Sequence, residues 1–274
     1  MNWGVIRASQ YRNHEKMKLD SDGLPMVKYG EEFQYNPVTL SQFVVTKHHR
    51  YLMGESLDPV VKGVDKLIEL QRADGAFPYD FEYKHPANPA PYKRGWISGM
   101  AQGQALSAFA RAWKVTGDNR YLDAGNRSLD FLQVPFPAGP MATLADLDPS
   151  LSGYSFILEY PVKPHAYTLN GYIFTLIGLY DWWKVVGSEK AGELFLDGVR
   201  TLERLLPYYD IGTFTTYDIS YITHSLAQPY LVPPKPFVHP GYHGFHIELV
   251  EVMADVTGKT IFSDYANKWR GYVN

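Results

Sequence analysis

Four glycines punctuate this chain at near-regular intervals and limit what it can fold into. Gly54, Gly117, Gly187 and Gly258 stand in RYLMGESLDPVV, AWKVTGDNRYLDAG, WWKVVGSEKAGELF and MADVTGKTIFSDYA, at spacings of 63, 70 and 71 residues. Each fits the left-handed position just past a helix C-terminus, where a β-carbon would clash. A new helical pattern opens within about three residues of each one. Helices joined by so short a turn must run antiparallel. The chain therefore reads as four helical hairpins, eight helices in all, and 274 residues at 45% hydrophobic supply the core they need.

The apolar residues recur at helical spacing. Val60, Val64, Leu67 and Ile68 form one stripe after Gly54, and Leu106, Phe109 and Trp113 lead into Gly117. Leu169, Ile173, Leu176, Ile177 and Tyr180 precede Gly187, with Leu194, Phe195, Leu202 and Leu206 beyond it. Phe245, Leu249, Val252 and Met253 lead into Gly258; Phe262, Tyr265 and Trp269 close the chain. The first helix of each pair is the inner one, because GMAQGQALSAFARAW and LNGYIFTLIGLYDWW carry small residues where crowding around a ring axis demands them. The expected fold is mainly α: an α/α barrel, or toroid, of about four hairpins over 37–274. DGAFPYDFEY (74–83), SGYSFILEYP (152–161) and DIGTFTTYDISY (210–221) read as short strands or β-hairpins on one rim. Residues 1–36 read as an N-terminal arm, partly β or irregular, with YGEEFQYNP as a candidate strand.

A net charge of −3 argues against a nucleic-acid module. With no cysteine, disulfides and thiolate zinc sites are excluded. The start MNWGVIRASQYRNHEKMKLD has no apolar core of a secretory signal, and no run of about 18 apolar residues marks a membrane span. The default expectation is a cytoplasmic protein, or a secreted one if a leader has been removed.

Polar groups collect in four otherwise apolar stretches. RGWISGMAQGQ holds Arg94, Gln102 and Gln104; LEYPVKPHAYTLNG holds Glu159, Tyr160, Lys163, His165 and Asn170. TTYDIS holds Tyr217 and Asp218, and HPGYHGFHIE holds Tyr242, His243 and His246. Each has a bland reading beside it: a packed phenol, a solvated Lys163, a turn-forming Asp218. The H-x-x-H pair lacks the Glu and third ligand of a zinc protease, so no metal is expected. Neither a nucleophile elbow, a phosphate-cradling loop nor a dinucleotide fingerprint is present, so no cofactor is expected. Aromatics at 15%, with 21 tyrosines, suit a cleft that stacks on sugar rings. On the residues alone, hydrolysis, elimination, epimerisation and plain carbohydrate binding all stay open.

The runs GWISGMAQGQALSAFARAW, EYPVKPHAYTLNGYIFTLIGLYD, TFTTYDIS and YHGFHIELVEVM, in this order, resemble the C-terminal domain of the D-glucuronyl C5-epimerases. The likeness extends from about residue 37 to the C-terminus and leaves only the short arm for that family's large β-rich N-terminal region. It implies inversion at C5 of D-glucuronate residues within a heparosan-like polysaccharide, giving L-iduronate, and by analogy a possible homodimer. The family's catalytic glutamate and adjacent tyrosine fall on Glu159 and Tyr160, and its further tyrosines on Tyr217 and Tyr242. Arg94, Gln102, Gln104, His165, Asn170, His243 and His246 are the candidate substrate-binding residues.

Inversion by proton exchange needs one group on each face of the sugar. With ordinary pKa values of about 4.3 and 10, glutamate is the natural base and tyrosine the natural acid, so Glu159 and Tyr242 take those parts. The reverse direction meets a cost of roughly 4 kcal/mol for ionising the phenol at pH 7. Tyr160, Tyr217, His165, His243 and Arg94 are candidates to stabilise the enediolate. Neighbours in a regular strand face opposite ways, so Glu159 and Tyr160 share a cleft only if the strand has ended before Pro161. Rival readings are a uronan lyase, a toroid-fold glycoside hydrolase and a non-catalytic uronan-binding protein.

Overall fold

The computed structural model describes residues 16–84, 91–229, 232 and 235–272. The hairpins stand where the glycines put them: α1 (Pro37–Leu52) with α2 (Asp58–Leu70), α3 (Gly99–Thr116) with α4 (Asn119–Leu132), and α5 (Leu169–Val186) with α6 (Glu189–Tyr209). A short unpaired helix, α7 (Ser220–Ala227), precedes the last pair, α8 (Pro240–Thr257) and α9 (Thr260–Arg270). The eight expected helices thus become nine among the described residues, because SYITHSLA is too short to show a periodic stripe.

Gly117, Gly187 and Gly258 take φ of 70°, 80° and 68°, and their N–H groups close α3, α5 and α8 on Trp113, Trp183 and Ala254. Asp118 and Ser188 follow at once and cap α4 and α6 by accepting the Arg120 and Ala191 N–H groups. Stop and start signals therefore sit side by side in GD and GS.

The first helix of each pair is the inner one. All fourteen residues from Gly99 to Ala112 of α3 are buried, as is every residue of α5 from Leu169 to Leu179, whereas α4 and α6 bury one face. α1 packs on α3, α3 on α5 and α5 on α8. A β-carbon on Gly178 would lie 1.8 Å from the Gly103 carbonyl oxygen, and one on Gly103 2.4 Å from Thr175 Cα. Backbone meets backbone at this crossing, which is the crowding the small residues answer. Further along, Arg111 of α3 and Asp181 of α5 form a buried ion pair at 2.6 Å, with Ser107 Oγ donating to the same carboxylate oxygen at 2.7 Å.

Three strands precede α1: β1 (Met17–Leu19), β2 (Pro25–Tyr29) and β3 (Glu32–Gln34), an antiparallel meander in chain order. YGEEFQ is the β2–β3 turn and its second strand, and Tyr29 stacks on Phe81 with centroids 4.0 Å apart. Residues 1–15 of the expected arm lie outside the described residues. Between hairpins, β4 (Met141–Thr143) pairs antiparallel with β5 (Ser155–Ile157). Isolated bridges join Tyr79 to Trp96, Tyr83 to Tyr92 and Asp210 to Thr215. These segments all lead into the N-termini of inner helices, so they share one rim. Among the described residues no helix is long and apolar enough to cross a membrane.

Candidate active site

Two helix-start glycines make a cradle for Glu159. The Gly99 N–H donates to Leu158 O at 3.0 Å, and a β-carbon there would stand 2.5 Å from that oxygen. A β-carbon on Gly171, in the first turn of α5, would stand 2.0 Å from Glu159 Oε2. From the other side Leu158 N–H donates to Pro140 O at 2.8 Å. The backbone just before Glu159 is thereby held on the start of α3, and its carboxyl is pressed against the start of α5. Since β5 has ended at Ile157, strand alternation no longer separates Glu159 from Tyr160, and the Tyr160 hydroxyl hydrogen-bonds the Glu159 carboxyl.

Tyr217 reaches the same point from the loop after α6. Its N–H donates to Phe237 O at 2.8 Å and its carbonyl accepts the Leu169 N–H at 3.1 Å. The loop is thus stitched between the approach to α8 and the start of α5. Tyr217 hydrogen-bonds Tyr160, and its ring lies 4.6 Å from that of Tyr242 in the first turn of α8. Glu159, Tyr160, Tyr217 and Tyr242 form one contiguous cluster, in which Glu159 is 6% exposed and Tyr242 half-buried.

Electrostatics follow from burial. Desolvation pushes the Glu159 carboxyl up to about 8, the nearby Asp218 carboxyl adds to the rise, and the Tyr160 hydroxyl opposes it. Desolvation likewise raises Tyr160 and Tyr217 well above the usual phenol range, and Tyr242 above it, with the Glu159 charge acting in the same sense on all three. Asp218 is fully buried and raised by desolvation; Ser220 donates to its Oδ1 from N–H and hydroxyl, at 3.0 and 2.6 Å. No lysine or arginine is among the groups that shift Glu159 or Tyr242.

A cavity of about 560 Å³ opens beside the cluster, within the usual range for small-ligand sites. Gln42 of α1, Met100 of α3, and Asn170 and Phe174 of α5 contribute to its wall, with Tyr242, Gly244, Phe245 and Glu248 of α8. It lies at the N-terminal ends of the four inner helices, whose peptide dipoles turn their positive ends toward an anionic ligand. Asn170 is 6% exposed, and its Oδ1 has no partner among the described residues.

The other expected binding residues divide. Arg94 is exposed on the rim, 4.0 Å from exposed Asp80. Gln102 is fully buried, with its amide donating to Gly75 O and accepting from Phe77 N–H, both at 2.9 Å, so it pins a rim loop to α3. Gln104 is buried on α3 with both amide atoms unpartnered among the described residues. His165 is buried in its own loop, Nδ1 at 2.7 Å from Val162 O and Nε2 at 3.6 Å from Asp146, with burial lowering its pKa.

His243 accepts the Thr215 N–H at Nδ1 (3.0 Å), and its Nε2 lies 3.0 Å from Trp269 O, which ties α8 to the Tyr217 loop and to α9. His246, driven down to about 3 by burial and then by His243, lies 2.8 Å from Thr215 Oγ1. Both imidazoles of H-x-x-H thus converge on Thr215. Among the described residues no group of three His, Cys, Asp or Glu is arranged to hold a metal ion.

The reading of the sequence missed the aromatic platform flanking Tyr160. Trp96 stacks on Tyr79 at 3.9 Å, and Tyr83, Tyr92 and Trp96 lie 6.3, 5.7 and 6.2 Å from Tyr160. The alternating aromatics of 79–83 signal half of it. The other half needs the bridge pairing to Tyr92 and Trp96, which is not local.

A family model described as the D-glucuronyl C5-epimerase C-terminus matches residues 71–271. The chain belongs to that family. A D-glucuronyl C5-epimerase of Caenorhabditis elegans is 29% identical over 220 residues, covering 76% of this chain and 34% of that protein. This member of the C5-epimerase C-terminal family therefore spans about a third of the length of that relative. Among solved structures, a cellobiose 2-epimerase from Bacillus thermoamylovorans B4167 superposes with a TM-score of 0.53 at 11% identity, covering 97% of this chain and 67% of that one. A polysaccharide lyase does so with 0.55 at 11%, covering 89% and 62%. At such identities the likeness shows the α/α toroid alone.

Proposed function

We propose that the C5-epimerase family chain inverts C5 of D-glucuronate residues within a heparosan-like acidic polysaccharide. The observation that carries this reading is the convergence of Glu159 with Tyr160, Tyr217 and Tyr242 beside a sugar-sized cavity. Glu159 takes H5 from one face of the ring and Tyr242 delivers a proton to the other. A carboxyl near 8 is closer to neutrality than an ordinary one, and so better matched to proton transfer. It is also a base only once ionised, so kcat/KM rises as pH rises through about 8. Tyr242 stays protonated there and is the acid.

With no lysine or arginine acting on Glu159 among the described residues, the enediolate's negative charge falls to neutral donors. The inner-helix N-termini supply them, and so do Tyr160 and Tyr217 once Glu159 has taken H5 and, neutral, no longer draws their hydroxyl protons. After inversion Glu159 holds a proton and Tyr242 lacks one. Proton return is downhill, because Tyr242 is the weaker acid.

Incubation of glucuronan-type chains in deuterated water tests the proposal. Deuterium at C5 with intact chains and new iduronate is the expected result. An unsaturated uronate chromophore would make the enzyme a lyase, new reducing ends a hydrolase, and binding without any change a lectin-like protein.

A further inference from the structure

One imidazole lining the cavity has no part in the reaction described above. His239 is the N-cap of α8, and its Nδ1 accepts the Gly241 N–H at 3.1 Å. Short side chains suffice for this elsewhere: Asn36, Ser98, Asp118 and Ser188 cap α1, α3, α4 and α6. The cap therefore accounts for one edge of the imidazole and leaves the other unexplained. A ring nitrogen that accepts a hydrogen bond carries no hydrogen, so the proton of the capping ring is on Nε2. Nε2 has no partner among the described residues, and the side chain is exposed where it lines the cavity.

The wall is also polarised along α8. Its carboxylate, Glu248, lies nine residues beyond His239, about 13 Å along the helix. No lysine or arginine lines the cavity among the described residues. The positive end of the α8 dipole is at His239, so an acidic sugar enters with its carboxylate toward that end and away from Glu248. That carboxylate is bonded to C5. Whatever holds it must adjoin the group that moves the C5 proton, and the His239 ring meets the Tyr242 ring edge to face, with centroids 5.8 Å apart.

We propose that His239 anchors the carboxylate of the reacting uronate through Nε2–H, and in doing so sets C5 beside Tyr242. The imidazole keeps its proton throughout: it donates a hydrogen bond and transfers nothing. As H5 leaves, negative charge moves from C5 onto the carboxylate oxygens, and the bond from Nε2–H strengthens. The contact is therefore worth more in the transition state than in the bound substrate. Its part in catalysis rests on the epimerase reading; the contact itself is read out by binding.

Two oligosaccharides serve as probes: glucuronate alternating with an N-acetylated hexosamine, and the same chain with each carboxylate reduced to a primary alcohol. The wild-type protein is expected to bind the acidic chain about tenfold more tightly. His239→Asn keeps an N-cap but is too short to reach past it, so its melting temperature is expected within about 2 °C of wild type. His239→Ser, another short cap, is the second variant and is expected to behave alike. In both, the preference between the two chains is expected to vanish, with the reduced chain bound as before. C5 exchange is expected to fall about 10²-fold in kcat, with KM rising about tenfold. A residue that only capped α8 would leave both variants with full exchange and full preference, and that result would overturn the proposal. So would equal binding of the two chains by the wild-type protein, or a preference that survives in the variants. A preference lost in the variants of a wild-type protein that exchanges no deuterium would overturn the epimerase reading and leave the carboxylate contact standing.

Discussion

Glu159 combines two properties: it is buried with no cation acting on it among the described residues, and it lies among phenols. As the proposed base it makes Glu159→Gln lose exchange by about 10²–10⁴-fold. Tyr242→Phe separates the two halves of the reaction. Glu159 still removes H5, but the proton returns to the face it left, so the variant is expected to wash deuterium into C5 with retained configuration. NMR of the recovered polymer distinguishes this from inversion, and iduronate at the wild-type rate would remove Tyr242 from the role of acid. The ionised fraction of Glu159 sets the acid limb of the pH profile, with kcat/KM rising tenfold per unit below about 8. A plateau already reached at pH 5 would contradict the raised carboxyl. These residues were legible as types in EYP and TTYD; the pKa shift was not, because burial depends on what packs over the carboxyl.

At the scale of elements, glycines position the site. Gly171→Ala drives a methyl into Glu159 Oε2, so activity is expected to collapse while the helix keeps its intrinsic propensity. Gly178→Ala forces the α3–α5 crossing apart far from the cluster, costing about 1–3 kcal/mol by overpacking. Thermal melts with activity at a permissive temperature tell the two apart: the first variant is inactive when folded, the second active when folded. His243→Phe leaves the Thr215 N–H and the Trp269 carbonyl unpaired and is expected to destabilise by about 1–3 kcal/mol. Small residues in GMAQGQALS and LNGYIFTLIG were legible as crowding, but the identity of each neighbour was not. Helix α7 went unforeseen for a related reason, since its eight residues are held by tertiary contacts such as Thr223 Oγ1 donating to His165 O at 2.8 Å.

Across the whole molecule the raised carboxyls give stability an unusual pH dependence. Glu159 moves from an ordinary 4.5 to about 8 on folding, so the fold favours its protonated form. The stabilisation is fully present below about pH 4.5 and is lost as pH rises toward 8. The difference is on the order of 3–5 kcal/mol, and Asp218 acts in the same direction. Paired carboxylates such as Asp74 and Asp210 are lowered and act oppositely, losing their contribution only under stronger acid. Melting temperature is therefore expected to fall from pH 5 to pH 8.5, and Glu159→Gln to flatten that fall. A wild-type curve already flat over this range would mean that the carboxyl is not desolvated.

The helix stops at Gly54, Gly117, Gly187 and Gly258, the inner-helix crowding and the α/α toroid were determined by the sequence itself, because capping and apolar periodicity are local and repeat along the chain. The cradle of Gly99 and Gly171 around Glu159, the spending of Gln102, His165 and His243 on holding loops, and the platform of Tyr83, Tyr92 and Trp96 were decided only by the tertiary structure. Each of these depends on which atoms from distant segments lie within a few ångströms, and that distance sets both the hydrogen-bond partners and the dielectric around a charge.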